Sequence, residues 1–457
     1  MSMERIGTSR FFKVGRQRMC ALGLLAIAHL VCAADFSAFS HSLRLTLNTG
    51  TIGLGANVLQ YPMLIRLSTA SARAVLQTAR AGGADVRFSK SDNATPLPYE
   101  IDQWSTEPGD SSAAIWVKLD TVYAATGTAI VMHWGNADSI DGSNPDGVFT
   151  NGYLGVYHLK EGAGPFADAS PNHRIATGTG TTATGAVKGL IGKSDSLNGT
   201  TQYISAAAMP IDNASYSASC WAKRARIGHE DQFVSQGNAE QCESVQEISC
   251  QADNTLFTGH WCSDMYCSAT LADMANFHFF TSTFDAAART LTLYFDGAMV
   301  NSIQTAAALN TGGAPFHIGF RDVNLSYGNA VIEEVRMSSI RRDADWIKLD
   351  YQSQQAGAGL IEILPLKIGD NTARYGRQHS QDIDVRYENG GRTIVAHVKA
   401  GQLRIYNSAG AAVGTSTGNG RCMLDAATAP PGTYYATLCE NGRLAVQRLS
   451  ILAGAAW

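Results

Sequence analysis

The stretch TLTLYFDGAMV, residues 290–300, decides how the rest of the chain is read. It reads as two strands joined at Asp296-Gly297, because both residues tolerate the positive φ that a tight hairpin turn demands. Runs of the same texture lie to either side: SYSASCWAKRA (215–225), NFHFFTSTFD (276–285), APFHIGF (314–320) and AVIEEVRMSS (330–339). Further out, YPMLIRLS (61–68), ADVRFSKSD (84–92), AAIWVKLD (113–120) and TAIVMHWGN (128–136) alternate apolar and polar residues, the pattern of a half-buried strand. Asp92-Asn93, Pro96, Pro98 and Asp141-Gly142 punctuate them.

These readings predict an all-β chain in several units. Residues 34–150 form a β-sandwich with one short helix-like patch from Ala70 to Arg80. A second β region occupies 151–355 and ends in an amphipathic helix within RRDADWIKLDYQSQQ (341–355). A linker spans 356–371, and a small Ig-like β-sandwich fills 372–457. A length of 457 residues suits more than one core, and 45% hydrophobic with 16% charged residues is an ordinary globular composition.

Residues 1–33 read as a signal peptide: Arg5, Arg10, Lys13, Arg16 and Arg18, then an apolar run from Cys20 to Val31, then Cys32 and Ala33. That run is too short to span a bilayer, which takes about 20 residues, and no later stretch is long enough either. The formal net charge is −4, and loss of the basic leader makes it more negative. With no basic run elsewhere, nucleic acid is not the expected partner. The expected location is secreted or on the outer cell surface.

Nine cysteines fit an oxidising compartment. Five crowd together: Cys220, Cys242, Cys250, Cys262 and Cys267. Cys242, Cys250, Cys262 and Cys267 are read as disulfide partners stapling a loop, with connectivity that order alone leaves open. Cys220, inside a strand-like run, is the candidate free thiol. Zinc on Cys262, Cys267 and His260 is the rival reading, though the spacing lacks the usual pair of pairs. Cys422 and Cys439 are expected to pair with each other.

Resemblances cover most of the chain. FSHSLRLTLN (39–48), YPMLIRLST (61–69), GADVRFSKSDNATPLPYEID (83–102), AIWVKLDTV (114–122), HWGNADSIDGSNPDGVF (133–149) and YLGVYHLKEG (153–162) resemble domain of unknown function 2341, a family without established chemistry. SDSLNGTTQYIS (194–205) and the runs from 215 to 339 resemble laminin-G-like domains of the concanavalin A-like superfamily, which implies a jelly roll of two antiparallel sheets. GQLRIYNSAGAAVGTS (401–416) and APPGTYYATLCENGRLAVQRLSIL (429–452) resemble C-terminal sorting domains of Gram-negative, type IX-like secretion.

A glycan-cleaving member of such a fold sets carboxylates at alternating strand positions, and no Glu-x-Asp-x-Glu arrangement occurs. Glu333 and Glu334 are adjacent and should point to opposite faces of a strand. The chain is therefore read as non-catalytic. By the laminin-G-like resemblance, Asp168, Asn172 and Glu333 are candidate calcium ligands; the alternative is that FADASPNHR (166–174) merely makes a turn. Trp261 and Tyr266 are candidate ligand-binding platforms, because sugar rings stack on aromatic faces. His158 and His133 are read as structural, for want of a nearby partner in sequence.

The expected function is adhesion or binding of a glycan or extracellular protein. An extracellular glycoside hydrolase or lyase, and a self-associating surface or filament subunit, are the alternatives.

Overall fold

The computed structural model describes residues 36–107, 111–355, 357 and 359–363, and the backbone of C-terminal strands between Val385 and Ile451. Residues 1–33, expected from sequence to be a signal peptide, lie outside the described residues.

The first unit contains β1 His41–Leu47, β2 Val58–Ser68, α1 Thr69–Thr78, β3 Arg87–Lys90, β4 Pro96–Leu97, β5 Tyr99–Ser105, β6 Ser112–Val122, β7 Thr128–Trp134 and the single turn α2 Pro145–Val148. Leu43, Leu45 and Leu47 alternate with more exposed neighbours in β1, so that strand lies on the rim of one face-buried sheet, β1-β7-β3-β4. The second sheet is β2-β6-β5. Its strands β2 and β6 are buried on both faces, which explains their near-continuous apolar runs MLI and AAIWV. α1 starts where Ser68 and Ser71 cap each other reciprocally.

The second unit carries β8 Tyr153–Tyr157, β9 Thr177–Thr179, β10 Ala186–Lys188, β11 Lys193–Ser196, β12 Tyr203–Ala206, β13 Tyr216–Arg224, β14 Asp231–Gln236, β15 Gln246–Cys250, β16 Thr255–Gly259, β17 Asp264–Thr270, β18 His278–Asp285, β19 Thr290–Phe295, β20 Ala298–Gln304, β21 Phe316–Ile318, β22 Phe320–Arg321, β23 Ser326–Tyr327 and β24 Ala330–Ser338. One sheet runs β10-β11-β24-β13-β18-β19-β20, with β8 also on β24; the other runs β17-β16-β15-β14-β21-β12-β9. Between them lie Tyr216, Phe233, Phe280, Phe284, Leu291, Leu293, Ile332 and Val335, each side chain contributing roughly 1.5–3 kcal/mol of burial. Cys220 sits in this core as a free thiol.

The hairpin forms as read: Phe295 pairs with Ala298, with Asp296 at φ 49° and Gly297 at φ 76°. Gly297 is doubly required, since a Cβ there would stand 2.9 Å from the ring and Cβ of Tyr351. Tyr351 belongs to α3, Ala344–Gln354, capped by Asp343 and wedged between the two units. Trp346 of α3 meets Tyr61 of β2 edge-on at 5.1 Å, while Ile347 packs with Trp221, Phe279 and Tyr294 on the back of the jelly roll.

Within the stretch 356–371, expected as a linker, residues 361–363 are a strand. Ile361–Ile363 forms β25 and pairs antiparallel with β1, Leu45 opposite Ile363 and Leu47 opposite Ile361. The Ile-Glu-Ile strand fills the open edge of β1. Sheet β2-β6-β5 is thus a middle layer, with β1-β7-β3 on one side and β8, β24 and α3 on the other.

The C-terminal strands are β26 Val385–Glu388, β27 Thr393–Asn407, β28 Ala412–Asp425, β29 Gly432–Glu440 and β30 Arg443–Ile451, in antiparallel pairing. Cys422 of β28 lies opposite Ala396, whereas Cys439 of β29 lies opposite Gln402 on the other flank of β27. With a strand between them, their backbones are roughly 10 Å apart before the offset along β27 is added, beyond disulfide reach, so this register does not accommodate the expected Cys422–Cys439 bridge.

Candidate functional site

The outer face of the β17-β9 sheet collects groups from distant parts of the sequence because opposed residues on neighbouring strands share a face. One row runs Asp264, Gly259, Glu247, Ser235, His317, Ser205; the next runs Tyr266, Phe257, Ser249, Gln232. Tyr266 is 60% exposed and stands edge-on to Phe257 at 4.8 Å. Gly259 separates Glu247 from Asp264, and a Cβ there would come within 2.9 Å of Asp264 Oδ1 and 3.0 Å of the Phe257 ring.

Trp261 is presented by the turn between β16 and β17, where it and Cys262 have φ of 57° and 65°. Cys262 is bridged to Cys242, and the Glu243 amide donates to the Trp261 carbonyl at 3.0 Å, so the turn is braced twice. Beneath it the Ala306 amide donates to Glu243 Oε1 at 3.1 Å, and His260 is hydrogen-bonded to Tyr216 Oη at 2.8 Å. The zinc reading fails here, since Cys262 has spent its sulfur on the bridge.

Arg321 is the polar hub of the face. It bonds Glu247, pairs with Glu230 at 2.9 Å, donates to Asn324 Oδ1 at 3.0 Å and lies 5.9 Å over the Trp261 ring. Burial pushes Glu247 up to about 7 against the pull of Arg321, and burial also raises Asp264. The segment 319–328 folds across the sheet, its Phe320 stacked on Tyr203 at 4.4 Å, and it presents Leu325, 64% exposed at φ 51°. An apolar ring face can stack on the exposed Tyr266 while the exposed Asp264 carboxylate bonds its hydroxyls. Trp261 and Tyr266, the aromatic platforms expected from sequence, both lie at this end of the sheet; Arg321, Glu247, Asp264 and Leu325 were not singled out, because only the strand register unites them with these two.

The other expected residues lie elsewhere. Asp168 accepts from the Val156 and Ser170 amides on Oδ1, and from Ser170 Oγ and the Arg174 amide on Oδ2, at 2.8–2.9 Å. Asn172 Nδ2 donates to the Tyr153 carbonyl at 2.9 Å. Both therefore build the turn. Glu333 accepts from the Leu190 and Ile191 amides, at 2.5 and 3.2 Å, and burial pushes it up to about 8. The three residues are committed to separate backbone partners.

Cys250 and Cys267 are buried free thiols, contrary to the stapled reading. β16 runs between their strands, so they stand about two strand spacings, roughly 10 Å, apart, beyond disulfide reach.

Glu333 and Glu334 also correct the opposite-faces expectation. Ser219 pairs with Arg336 and Trp221 with Glu333, so Cys220 alone opposes two residues, a bulge with Glu334 at φ 52°. Ile332, Val335 and Met337 keep the core, and Glu333, Glu334 and Arg336 all turn outward toward the first unit. There His158 bridges Glu334 at 2.6 Å and Glu100 at 3.1 Å, and Arg336 bridges Glu334 at 2.8 Å and Asp350 at 3.3 Å while stacking 4.3 Å over Trp116. Burial opposes charge on both, yet Glu334 holds His158 well above its ordinary pKa, and His158 and Arg336 hold Glu334 low. Asp102, His158 and Glu334 each offer a ligand-type atom within 4.8 Å of the others, but Lys160 already neutralises Asp102 at 2.8 Å. This is a sealed charge network. His133 is hydrogen-bonded to Ser89 at 2.9 Å, and burial takes it down to about 4.

Comparison with known proteins agrees with the two-unit architecture. Residues 198–348 match the model of the concanavalin A-like lectin/glucanases superfamily, and residues 82–153 match domain of unknown function 2341. Among the curated proteins there is no match. Among solved structures, domain 4 of AbnA, a GH43 extracellular arabinanase from Geobacillus stearothermophilus in complex with arabinotriose, is 18% identical, covers 44% of this chain and 97% of its own, and has a TM-score of 0.36. The binding domain of Paraclostridial Mosquitocidal Protein 1 is 12% identical over 64% of this chain and 71% of its own, at TM-score 0.35. The binding domain of botulinum neurotoxin DC in complex with SialylT is 9% identical over 65% and 73%, at TM-score 0.33. Scores this low carry no argument about ligand. Among the described residues no helix is long and apolar enough to cross a membrane.

Proposed function

We propose that the protein is an exported, non-catalytic binding protein that recognises a glycan on the outer face of the β17-β9 sheet, with Tyr266 and Trp261 as stacking platforms and Asp264 as a polar contact. The exposed Tyr266, set beside the braced Trp261 turn and the exposed Asp264 carboxylate, is the observation that carries this reading. The match of residues 198–348 to the concanavalin A-like superfamily supports it. The first unit serves as a rigid mount, and the C-terminal strands serve as the export or anchoring module.

A glycan array probed with the full chain tests the idea. Binding is expected, and Tyr266→Ala and Trp261→Ala should each weaken it about tenfold, or about 1.4 kcal/mol, with unchanged circular dichroism. Equal binding by both variants would sink the reading. Hydrolysis has one observation in its favour, the shared face of Glu247 and Asp264 on either side of Gly259. Reducing sugar released from a bound glycan, and lost in Glu247→Gln, would establish that activity instead.

A further inference from the structure

A different carboxylate has no account in either unit's packing. Asp195, in β11 opposite Ile332 of β24, is 1% exposed, and neither of its oxygens has a hydrogen-bond partner. The Ser196 amide stabilises its charge somewhat, from a position that closes no hydrogen bond. Glu161, just past β8, is its acidic neighbour. Glu161 Oε1 accepts from the Ala167 amide at 3.1 Å, while Oε2 is buried without a partner. Burial, with Glu161 adding, pushes Asp195 up to about 7. Buried carboxylates are normally paired with a cation or bound to a metal, and among the described residues no basic side chain pairs with either.

A glycine stands directly against them. A Cβ built on Gly185 would stand 2.5 Å from Asp195 Oδ1 and 3.5 Å from the Gly162 carbonyl oxygen. The missing side chain therefore lets Asp195 Oδ1 and the Gly162 carbonyl both crowd against Gly185, with Glu161 adjoining Gly162 in the chain. Hard cations take such mixed oxygen sets, and calcium–oxygen distances are about 2.3–2.6 Å.

We propose that the unpartnered oxygens of Asp195 and Glu161, with the Gly162 carbonyl, hold a calcium ion beside the Gly185 backbone, with water completing the coordination. The site lies at the β10-β11 edge of the eight-stranded sheet, away from the Asp168 turn, whose oxygens are occupied. It does not depend on the glycan reading.

The test uses the full chain stripped with EDTA, titrated with calcium chloride by isothermal titration calorimetry and melted with and without the ion at pH 7.5. One calcium per chain and a rise in Tm of several degrees are expected. Magnesium, which demands near-ideal octahedral geometry, should give no such rise. Asp195→Asn should abolish uptake, and Glu161→Gln should weaken it at least about tenfold. In EDTA, Asp195→Asn should melt at or above the parent chain, because an unpaired buried charge is gone; that control shows that lost binding is not lost folding. A parent chain unmoved by calcium, or an Asp195→Asn chain that still takes it up, overturns the site.

Discussion

His158 shows how much a single side chain can hide from a linear reading. Its two carboxylate partners, Glu100 and Glu334, are 58 and 176 residues away. No spacing rule reaches that far, so its burial was legible but its role as a bridge was not. Removing one member of a sealed ion network strands the others in a low dielectric, and Glu334→Gln should cost about 3–5 kcal/mol in urea unfolding. Glu333 makes a prediction of opposite character. Its folded pKa, about 8, lies above its unfolded value, so the folded state holds the extra proton between those limits. The stability tied to that proton is complete below the unfolded pKa and is lost as pH rises through about 8. Melting curves from pH 5 to 9 should therefore fall more steeply for the parent chain than for Glu333→Gln. Equal slopes would mean that the carboxylate ionises freely in place.

At the scale of elements, strands were the most legible feature and their irregularities the least. The 290–300 hairpin, the alternating strands of the first unit and the helix after 341 all form where turn chemistry and apolar period place them. The bulge at Glu334 escaped notice because a one-residue insertion has no signature of its own, yet it reversed which face a glutamate uses. Cysteine pairing was illegible for a related reason: which thiols meet depends on which strand lies between them, and β16 keeps Cys250 from Cys267. The Cys242–Cys262 bridge, the one formed among the described residues, joins positions 20 apart in sequence. Loops of that size are worth roughly 3 kcal/mol, so replacing Cys242 and Cys262 by serine should lower stability by up to that amount. The same double variant should weaken glycan binding more than Tyr266→Ala alone, since it frees the turn that aims Trp261. Unchanged affinity in calorimetry would show the brace to be irrelevant to the face.

Across the whole molecule, the boundary drawn at residue 151 is a change of sequence texture and not a break in the packing. Tyr153, Val156, Trp346 and Leu349 belong to the core of the first unit, although the jelly roll supplies them. A segment limited to 151–355 would expose these residues together with Glu334 and Arg336. It should aggregate or melt well below a chain spanning 36–363, and the longer chain should unfold in one calorimetric transition. Two resolved transitions would show that the units are thermodynamically separate.

The pairing of β25 with β1 also has a mechanical side. The chain enters the folded body through β1 and leaves it through the strand lying antiparallel alongside, so tension between a tethered tail and the amino-terminal end falls first on that short seam. Bonds in such a seam give way in succession, as the teeth of a zipper do, and not all at once. A pull would therefore peel three residues from an edge and lengthen the leash while the jelly roll, looped out between the two strands, stays slack with whatever it holds.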